Sequence, residues 1–176
     1  MSDEKQIKQS ALRIVKDDIT AMDVECFVYY AQSDLKLGSG FGSAISVRGG
    51  PSIQKELDKL GSIDMGEAVI SDAGELKAKY IIHANGPKFQ EENLEQKLKD
   101  TTLNVLKLAD EKGISQIAMP LMGCGFYGIP LDVSAKVTLN TVKEYFEGNT
   151  NIKEVIFCAN DNREFKPFRA QLVSLN

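Results

Sequence analysis

The sequence is organised around residues 116–131, which read Gln-Ile-Ala-Met-Pro-Leu-Met-Gly-Cys-Gly-Phe-Tyr-Gly-Ile-Pro-Leu. The apolar run from Ile117 to Met119 predicts a short buried strand, followed by a glycine-rich loop and by a helix beginning near Asp132. Glycines at alternate positions allow positive φ and let backbone N–H groups turn toward one point. Such a loop, between a strand end and a helix N-terminus, is suited to hold a phosphate. Because the loop contains no Lys or Arg, backbone amides are expected to bind the phosphate.

Residues 123–128 also match the Gly-x-Gly-x-x-Gly pattern of dinucleotide-binding enzymes. In those enzymes the pattern opens a helix directly, and an acidic residue ends the next strand about twenty residues later. Here Pro130 intervenes before the helix, and the next predicted strand is followed by an acidic residue only at Asp161. We therefore set the dehydrogenase interpretation aside.

The bulk composition predicts one domain with a sizeable core. The chain has 176 residues, of which 43% are hydrophobic. Its formal net charge is −4 and its sequence pI is about 5.1. Proteins that bind nucleic acid electrostatically carry a basic patch or stripe, so a nucleic-acid partner is not expected.

The cysteines and the N-terminus predict the compartment. Cys26, Cys124 and Cys158 are odd in number and widely spaced, and with the single histidine they provide no zinc-ligand spacing. This usage is typical of a reducing compartment. The first ten residues are polar and no apolar run reaches membrane length. We expect a soluble cytoplasmic protein with no metal and no cofactor.

Hydrophobic patterning along the chain predicts an α/β fold. Residues 1–10 are expected to be a flexible lead-in and residues 11–176 to form the domain. The expected strands are residues 11–15, 26–31, 67–71, 80–84, 117–119 and 155–158, and the expected helices are residues 43–47, 53–60, 94–112, 133–146 and 164–173. Strands alternating with helices predict helices on both faces of a mostly parallel or mixed sheet. A second glycine cluster, residues 38–42, follows another strand, so both clusters should meet at one sheet edge around one ligand.

Many short motifs in order resemble the macro domain family, which binds ADP-ribose. The resemblance runs from about Leu12 to the C-terminus and implies a three-layer α/β/α sandwich with a mixed, mostly parallel central sheet. The matching segments are Asp17-Asp18-Ile19, Gly38-Ser39-Gly40-Phe41, Gly49-Gly50, Gly66-Glu67-Ala68, Ala73-Gly74-Glu75-Leu76, Ile81-Ile82-His83-Ala84 with Gly86-Pro87, and residues 120–130.

The family resemblance also implies roles for individual positions. Asp18 would accept a hydrogen bond from the adenine amine, with the Ile19 backbone beside it. The two glycine clusters would wrap the pyrophosphate and the distal ribose. Asn160 stands where many relatives place an aromatic residue against adenine, so it would forfeit about 1 kcal/mol of aromatic contact. The expected ligand-binding residues are Asp18, Ile19, Gln32, Gly38, Ser39, Gly40, Phe41, Gly42, Met122, Gly123, Cys124, Gly125, Phe126, Tyr127 and Asn160.

Two departures from the family pattern bear on catalysis. Where the family usually carries Asn-Ala-Ala-Asn, this chain has Tyr29-Tyr30-Ala31-Gln32. In relatives that hydrolyse ADP-ribose esters the last Asn orients the distal ribose; Gln32 sets its amide one methylene farther out and is only a weak catalytic candidate. Members that remove ADP-ribose from proteins often carry Asp at the position of Gly42, and without it no carboxylate activates a water.

Several single residues have both a functional and a structural interpretation. Lys36 is a nucleophile in the manner of some relatives or, by preference, an exposed loop lysine. Cys124 is interpreted as a small loop residue rather than a nucleophile, and His83 as a core histidine. Asp34 is expected to face solvent. Apart from the family match, Asp18 can simply cap the turn at Thr20.

Three classes of function follow. The favoured one is a module that binds ADP-ribose or a derivative, free or attached to a protein, with weak or no hydrolase activity. The first alternative is a hydrolase of ADP-ribose esters (O-acetyl-ADP-ribose or ADP-ribosyl-protein) or an ADP-ribose 1''-phosphate phosphatase. The second is a degenerate macro domain that serves as an interaction module, its cleft filled by Tyr29, Tyr30 or Phe41.

Overall fold

The computed structural model describes residues 3–38 and 40–175. Strands and helices alternate through most of this range, and one-turn 3₁₀ helices lie at Ile19–Ala21 and Gly125–Tyr127. The strands are β1 (Glu4–Ile7), β2 (Ser10–Lys16), β3 (Cys26–Tyr30), β4 (Ala68–Asp72), β5 (Tyr80–Ala84), β6 (Gln116–Met119) and β7 (Glu154–Ala159). The helices are α1 (Phe41–Gly49), α2 (Ser52–Leu60), α3 (Leu94–Lys112), α4 (Leu131–Glu147) and α5 (Asn162–Ser174).

The strands form one seven-stranded sheet in the order β1-β2-β7-β6-β3-β5-β4. Neighbours from β2 through β5 in this order are parallel. The edge strands β1 and β4 are antiparallel to their neighbours. The prediction of a mixed, mostly parallel sheet is therefore confirmed.

Helices cover both faces of the sheet, which confirms the three-layer sandwich. Successive side chains of a strand point to opposite faces, so strands buried on both sides are apolar throughout. In β5, Ile81 packs with Ile45 of α1 and with Ile53 and Leu57 of α2. Its neighbour Ile82 belongs to the core formed with α3, α4 and α5.

The prediction of a flexible lead-in over residues 1–10 is wrong for residues 4–7, which form β1 against β2. The strand has polar residues at most positions, and only Ile7 is buried. It joins β2 through a hairpin at Lys8, whose φ is 54°, without the Asn-Gly or Asp-Gly pair that usually signals such a turn. An edge strand that contributes one core side chain leaves little hydrophobic pattern to detect.

The remaining elements lie close to their predicted positions. β5 and α3 have the predicted bounds, and the helix after the first glycine cluster is longer than predicted, running from Phe41 to Gly49. Cys26 and His83 are fully buried in β3 and β5, as the core interpretation requires. None of the helices in the described part of the chain has the length and apolar character needed to cross a membrane.

Candidate functional site

A cleft of about 570 Å³ opens at the carboxyl ends of β3, β6 and β7. This is the edge at which open α/β sheets bind ligands, and the volume lies in the usual range for small-molecule sites. Its described lining residues are Asp17, Ile19, Thr20, Phe27, Val28, Tyr29, Tyr30, Gln32, Gly40, Phe41, Ile45, Pro120, Leu121, Gly123, Cys124, Gly125, Phe126, Tyr127, Gly128, Ile129, Pro130, Leu131, Cys158, Asn160, Arg163 and Glu164. The two glycine clusters therefore border one cleft, as the sequence predicts.

Residues 123–128, the second glycine loop, all line the cleft, and the glycines among them leave the backbone uncovered by side chains there. Gly123, Gly125 and Gly128 have φ of 81°, 73° and 80°, a region that L side chains rarely adopt. The loop is held from beneath, because Ile129 N–H donates to Gly123 O at 3.0 Å and Ser134 Oγ donates to Met122 O at 2.7 Å. A fixed backbone surface of this kind is preorganised to donate N–H groups to an anion.

Residues 38–42, the first glycine loop, lead into the N-terminus of α1. Gly38 and Gly40 have φ of 62° and 63°, and Gly40 precedes the helix without any side-chain cap. The first N–H groups of a helix have no partner within it, and the helix dipole favours an anion there. The start of α4 after Pro130 also lacks a side-chain cap and borders the same cleft. Uncapped helix starts thus face the cleft from both loops.

Gly42 is required by close packing. It is buried in the first turn of α1, and a Cβ built there would lie 1.5 Å from Leu37 O and 2.7 Å from Tyr29 Oη. The Tyr29 hydroxyl is fixed because it donates to Leu37 O at 3.1 Å. A carboxylate therefore cannot be introduced at position 42 without moving the backbone of residue 37. The space that a side chain at position 42 would need is therefore filled by the Leu37 carbonyl and the Tyr29 hydroxyl.

Aromatic side chains form one wall of the cleft and leave it open. Tyr30 donates its hydroxyl hydrogen to Pro87 O, and its ring packs edge-on against Tyr127 with centroids 5.2 Å apart. Phe126 packs edge-on against Tyr127 at 5.3 Å and is 91% exposed. Phe41 is also exposed at the margin. The tyrosines and Phe41 line the cleft but do not fill it.

Asp18 makes the turn cap that the sequence left as an alternative. Its Oδ1 accepts hydrogen bonds from Thr20 N–H at 3.0 Å and from the Thr20 hydroxyl at 2.7 Å, and Arg48 Nη1 donates to Oδ2. Burial raises the pKa of Asp18, but hydrogen bonds from Arg48 and Thr20 outweigh it and lower that pKa overall. The side chain stands beside the lining residues Asp17, Ile19 and Thr20 but does not itself line the cleft.

The remaining candidate residues, Lys36, Asp34, Cys124 and Gln32, are not arranged as nucleophiles. Lys36 Nζ pairs with Asp58 at 3.0 Å outside the cleft, and Asp34 Oδ1 accepts from Lys36 N–H at 3.0 Å. Burial raises the pKa of the Cys124 thiol to about 11, and a neutral thiol is a poor nucleophile. Gln32 is exposed at the margin of the cleft, near Gly38.

Ten of the fifteen predicted ligand-binding residues line the cleft: Ile19, Gln32, Gly40, Phe41, Gly123, Cys124, Gly125, Phe126, Tyr127 and Asn160. Asp18, Gly38 and Gly42 lie beside it. Met122 is fully buried, so its side chain cannot reach a ligand. Ser39 lies outside the described residues. Because the predicted list followed the glycine clusters, it missed other lining residues, among them the charged residues Arg163 and Glu164. Their position just after β7 could have indicated them, because β7 ends at the same edge of the sheet.

The comparisons with known proteins identify the family. A sequence model described as the macro domain matches residues 28–138. A macro domain-containing protein of Caldanaerobacter subterraneus is 39% identical over 163 residues, covering 89% of this chain and 93% of the relative. The chain therefore belongs to the macro domain family.

Solved structures agree with this assignment. A macrodomain of Oceanobacillus iheyensis with ADP has a TM-score of 0.92 at 26% identity, covering 97% of this chain and 94% of that chain. A mutant of the same macrodomain with ADPR also has a TM-score of 0.92, at 25% identity and with coverage of 97% and 96%. A Xenopus laevis protein named ADP-ribose glycohydrolase MACROD2 is 37% identical over 97% of this chain, which spans 42% of that relative.

Proposed function

We propose that this protein binds ADP-ribose or an ADP-ribose derivative, free or attached to a protein, in the cleft between the two glycine loops. The observation that carries the proposal is the pair of uncapped backbone segments, at Gly40–Phe41 and Gly123–Gly128, that face one cleft. Backbone N–H groups at helix starts and in glycine turns bind phosphate oxygens. The Oceanobacillus structures with ADP and with ADPR support the choice of ligand. A cytoplasmic location and modified protein partners stay predictions.

Binding with little or no turnover is the form of this function that the side chains support. Hydrolysis requires a group that positions or activates a water beside the distal ribose. Position 42 has no space for a carboxylate, Lys36 is paired with Asp58, and Cys124 is protonated at neutral pH. Gln32 is an amide, so it can orient a hydroxyl group but cannot take its proton.

The alternative is a hydrolase acting on ADP-ribose esters, and the relative named ADP-ribose glycohydrolase favours it. Phosphatase action on a terminal phosphate is the other hydrolytic possibility. Both would need a group in the cleft that activates a water, and Tyr127 lines the cleft with a hydroxyl. Burial raises the pKa of Tyr127, so it remains protonated and does not act as a base near pH 7.

The experiment that separates these functions compares binding with release. We expect the unaltered protein to bind a mono-ADP-ribosylated protein without releasing ADP-ribose, and to leave O-acetyl-ADP-ribose intact. Gln32→Asn, assayed beside it, restores the shorter amide without disturbing the packing around Gly42. Rapid release by the unaltered protein at catalytic concentrations would overturn the binder assignment in favour of the hydrolase. Slow release that is seen only with Gln32→Asn would support the binder assignment.

A second expectation concerns adenine and Asp18. If the carboxylate accepts the adenine amine in addition to its present partners, Asp18→Ala should weaken ADP-ribose by about 1.5–3 kcal/mol. The same variant should lose preference for adenine over hypoxanthine, whose six-position offers no donor. Arg48→Met is the control, because it removes the ion pair but leaves the carboxylate and its Thr20 contacts.

Calorimetric titration of the three proteins with the adenine and hypoxanthine forms of the ligand checks this expectation. Retained discrimination in Arg48→Met together with lost discrimination in Asp18→Ala would support a base contact. Equal discrimination by the unaltered protein and Asp18→Ala would show that Asp18 is a turn cap and that the base is selected elsewhere.

A further inference from the structure

The charged side chains that line the cleft carry more negative than positive charge, although the proposed ligand is a diphosphate. Asp17 and Glu164 both line it, and each carboxylate is already held by a backbone N–H. Asp17 Oδ1 accepts from Asp18 N–H at 2.7 Å, and Glu164 Oε1 accepts from Asn160 N–H at 2.7 Å. Of the described lining residues, Arg163 alone carries a positive charge. Two fixed negative charges and one positive charge would repel an anionic ligand unless the positive charge is placed beside it.

The Arg163 side chain is exposed and only loosely paired. Its Nε lies 4.0 Å from Asp161 Oδ1, at the limit of an ion pair, and its side chain is 73% exposed. Asp161 is already engaged, because the same Oδ1 accepts from Glu164 N–H at 3.0 Å as the cap of α5. A cation in the first turn of a helix is also disfavoured by the helix dipole. Neither the long ion pair nor the position in the first turn of α5 therefore gives Arg163 a clear stabilising role.

Arg163 and the second glycine loop line the same cleft. It lies on the cleft wall formed by the start of α5, with Asn160 and Glu164. Its charge also reaches the loop. Burial raises the pKa of the Cys124 thiol, while the positive charge of Arg163 opposes that shift. Arg163 and the backbone that would hold the phosphates therefore line the same cleft.

We propose that Arg163 is a binding residue that contacts a phosphate oxygen of the ligand, from the wall opposite the backbone amides of the second glycine loop. This inference rests on the proposed function of the cleft. A guanidinium can form two parallel N–H bonds to a phosphate, and these are stronger than bonds between neutral groups. Arg163 would then add charge recognition to a site otherwise made of backbone amides, and would select diphosphates over nucleosides.

The test is titration of Arg163→Gln with ADP-ribose, ADP and adenosine, beside the unaltered protein. We expect about a tenfold loss of affinity for ADP-ribose and ADP, and less than a twofold change for adenosine. The affinity of the unaltered protein for ADP-ribose should fall as salt is raised, and should fall less steeply in Arg163→Gln. Lys166→Gln removes the same charge from α5 outside the cleft lining and should behave like the unaltered protein.

The other possible results contradict either the Arg163 contact or the proposed function. Unchanged ADP-ribose affinity in Arg163→Gln would overturn the assignment while leaving the proposed function intact. An equal loss for adenosine would also overturn it, because the contact would then be to the base or ribose. An equal loss in Lys166→Gln would reduce the effect to net charge and likewise defeat a direct contact. Failure of the unaltered protein to bind ADP-ribose would instead count against the proposed function itself.

Discussion

Gly125→Glu is expected to abolish ADP-ribose binding while the protein stays folded. Gly125 lies in the second glycine loop and is exposed, and no heavy atom of residues 3–38 and 40–175 lies within 4 Å of a Cβ built on it, its chain neighbours aside. A glutamate there has room in the free protein but extends from the backbone that would hold the phosphates. Its negative charge and bulk would exclude a diphosphate, so calorimetry should detect no binding at millimolar ligand.

The substitution also strains the backbone, because Gly125 has φ of 73°. A non-glycine residue in this region costs about 1–2 kcal/mol. Gly113→Glu is the matched control, because Gly113 has φ of 77° and lies at the C-terminus of α3 away from the cleft. A Cβ built there also has open space as far as the described residues show. Both variants should lose similar thermal stability, but only Gly125→Glu should lose the ligand. Full affinity in a folded Gly125→Glu protein would remove the second glycine loop from the site.

Acidification from pH 7 to pH 5 is expected to cost about 2 kcal/mol of folding free energy through His83 alone. Its side chain is fully buried, and burial lowers its pKa from 6.5 to about 3. The folded protein therefore excludes a proton that the unfolded chain binds below pH 6.5. The stability from the neutral ring is present above pH 6.5 and is lost as the pH falls toward 3.

The surroundings of the two ring nitrogens of His83 show where burial penalises the added proton. Ser71 Oγ donates to Asp72 O at 3.0 Å, so the 2.8 Å contact with His83 Nε2 requires that Nε2 carry the hydrogen. The proton gained in acid would go to Nδ1, which is buried and has no partner among the described residues. Tyr29 packs edge-on against the ring with centroids 6.0 Å apart and supplies no charge.

Urea unfolding at pH 7 and pH 5 measures this effect, with His83→Leu as the comparison. The variant should be less stable at pH 7, because it loses the bond to Ser71, but its stability should change much less between the two pH values. Carboxylates titrate mainly below this window, so the difference between the two proteins isolates the histidine. A parallel decline in both proteins would show that another group controls acid stability.

The sequence was sufficient for the architecture because its strong patterns are local. The continuous apolar run of β5 and the helical spacing of α3 gave both elements their observed bounds. The glycine clusters also indicated the correct edge of the sheet, since the carboxyl ends of parallel strands share that edge. β1 was missed because a polar edge strand with one buried residue has no such pattern.

Side-chain partners could not be predicted, because they depend on contacts distant in the chain. The sequence showed that the usual Asp is replaced by Gly42, but not that Leu37 O and the Tyr29 hydroxyl exclude any side chain there. It predicted Asp18 as a ligand-binding residue or a turn cap, yet gave no sign of Arg48, thirty residues away, as its partner. Arg163 was missed because the prediction followed the glycine clusters, although its position just after β7 indicated the same sheet edge.

Isothermal titration of the unaltered protein with ADP-ribose tests the central claim most directly. We predict saturable binding with one ligand per chain, weaker binding of ADP, and still weaker binding of adenosine, because the cleft offers backbone donors for phosphates and a wall for the distal ribose. The absence of saturable binding to folded protein at millimolar ADP-ribose would contradict the assignment of this cleft as an ADP-ribose site.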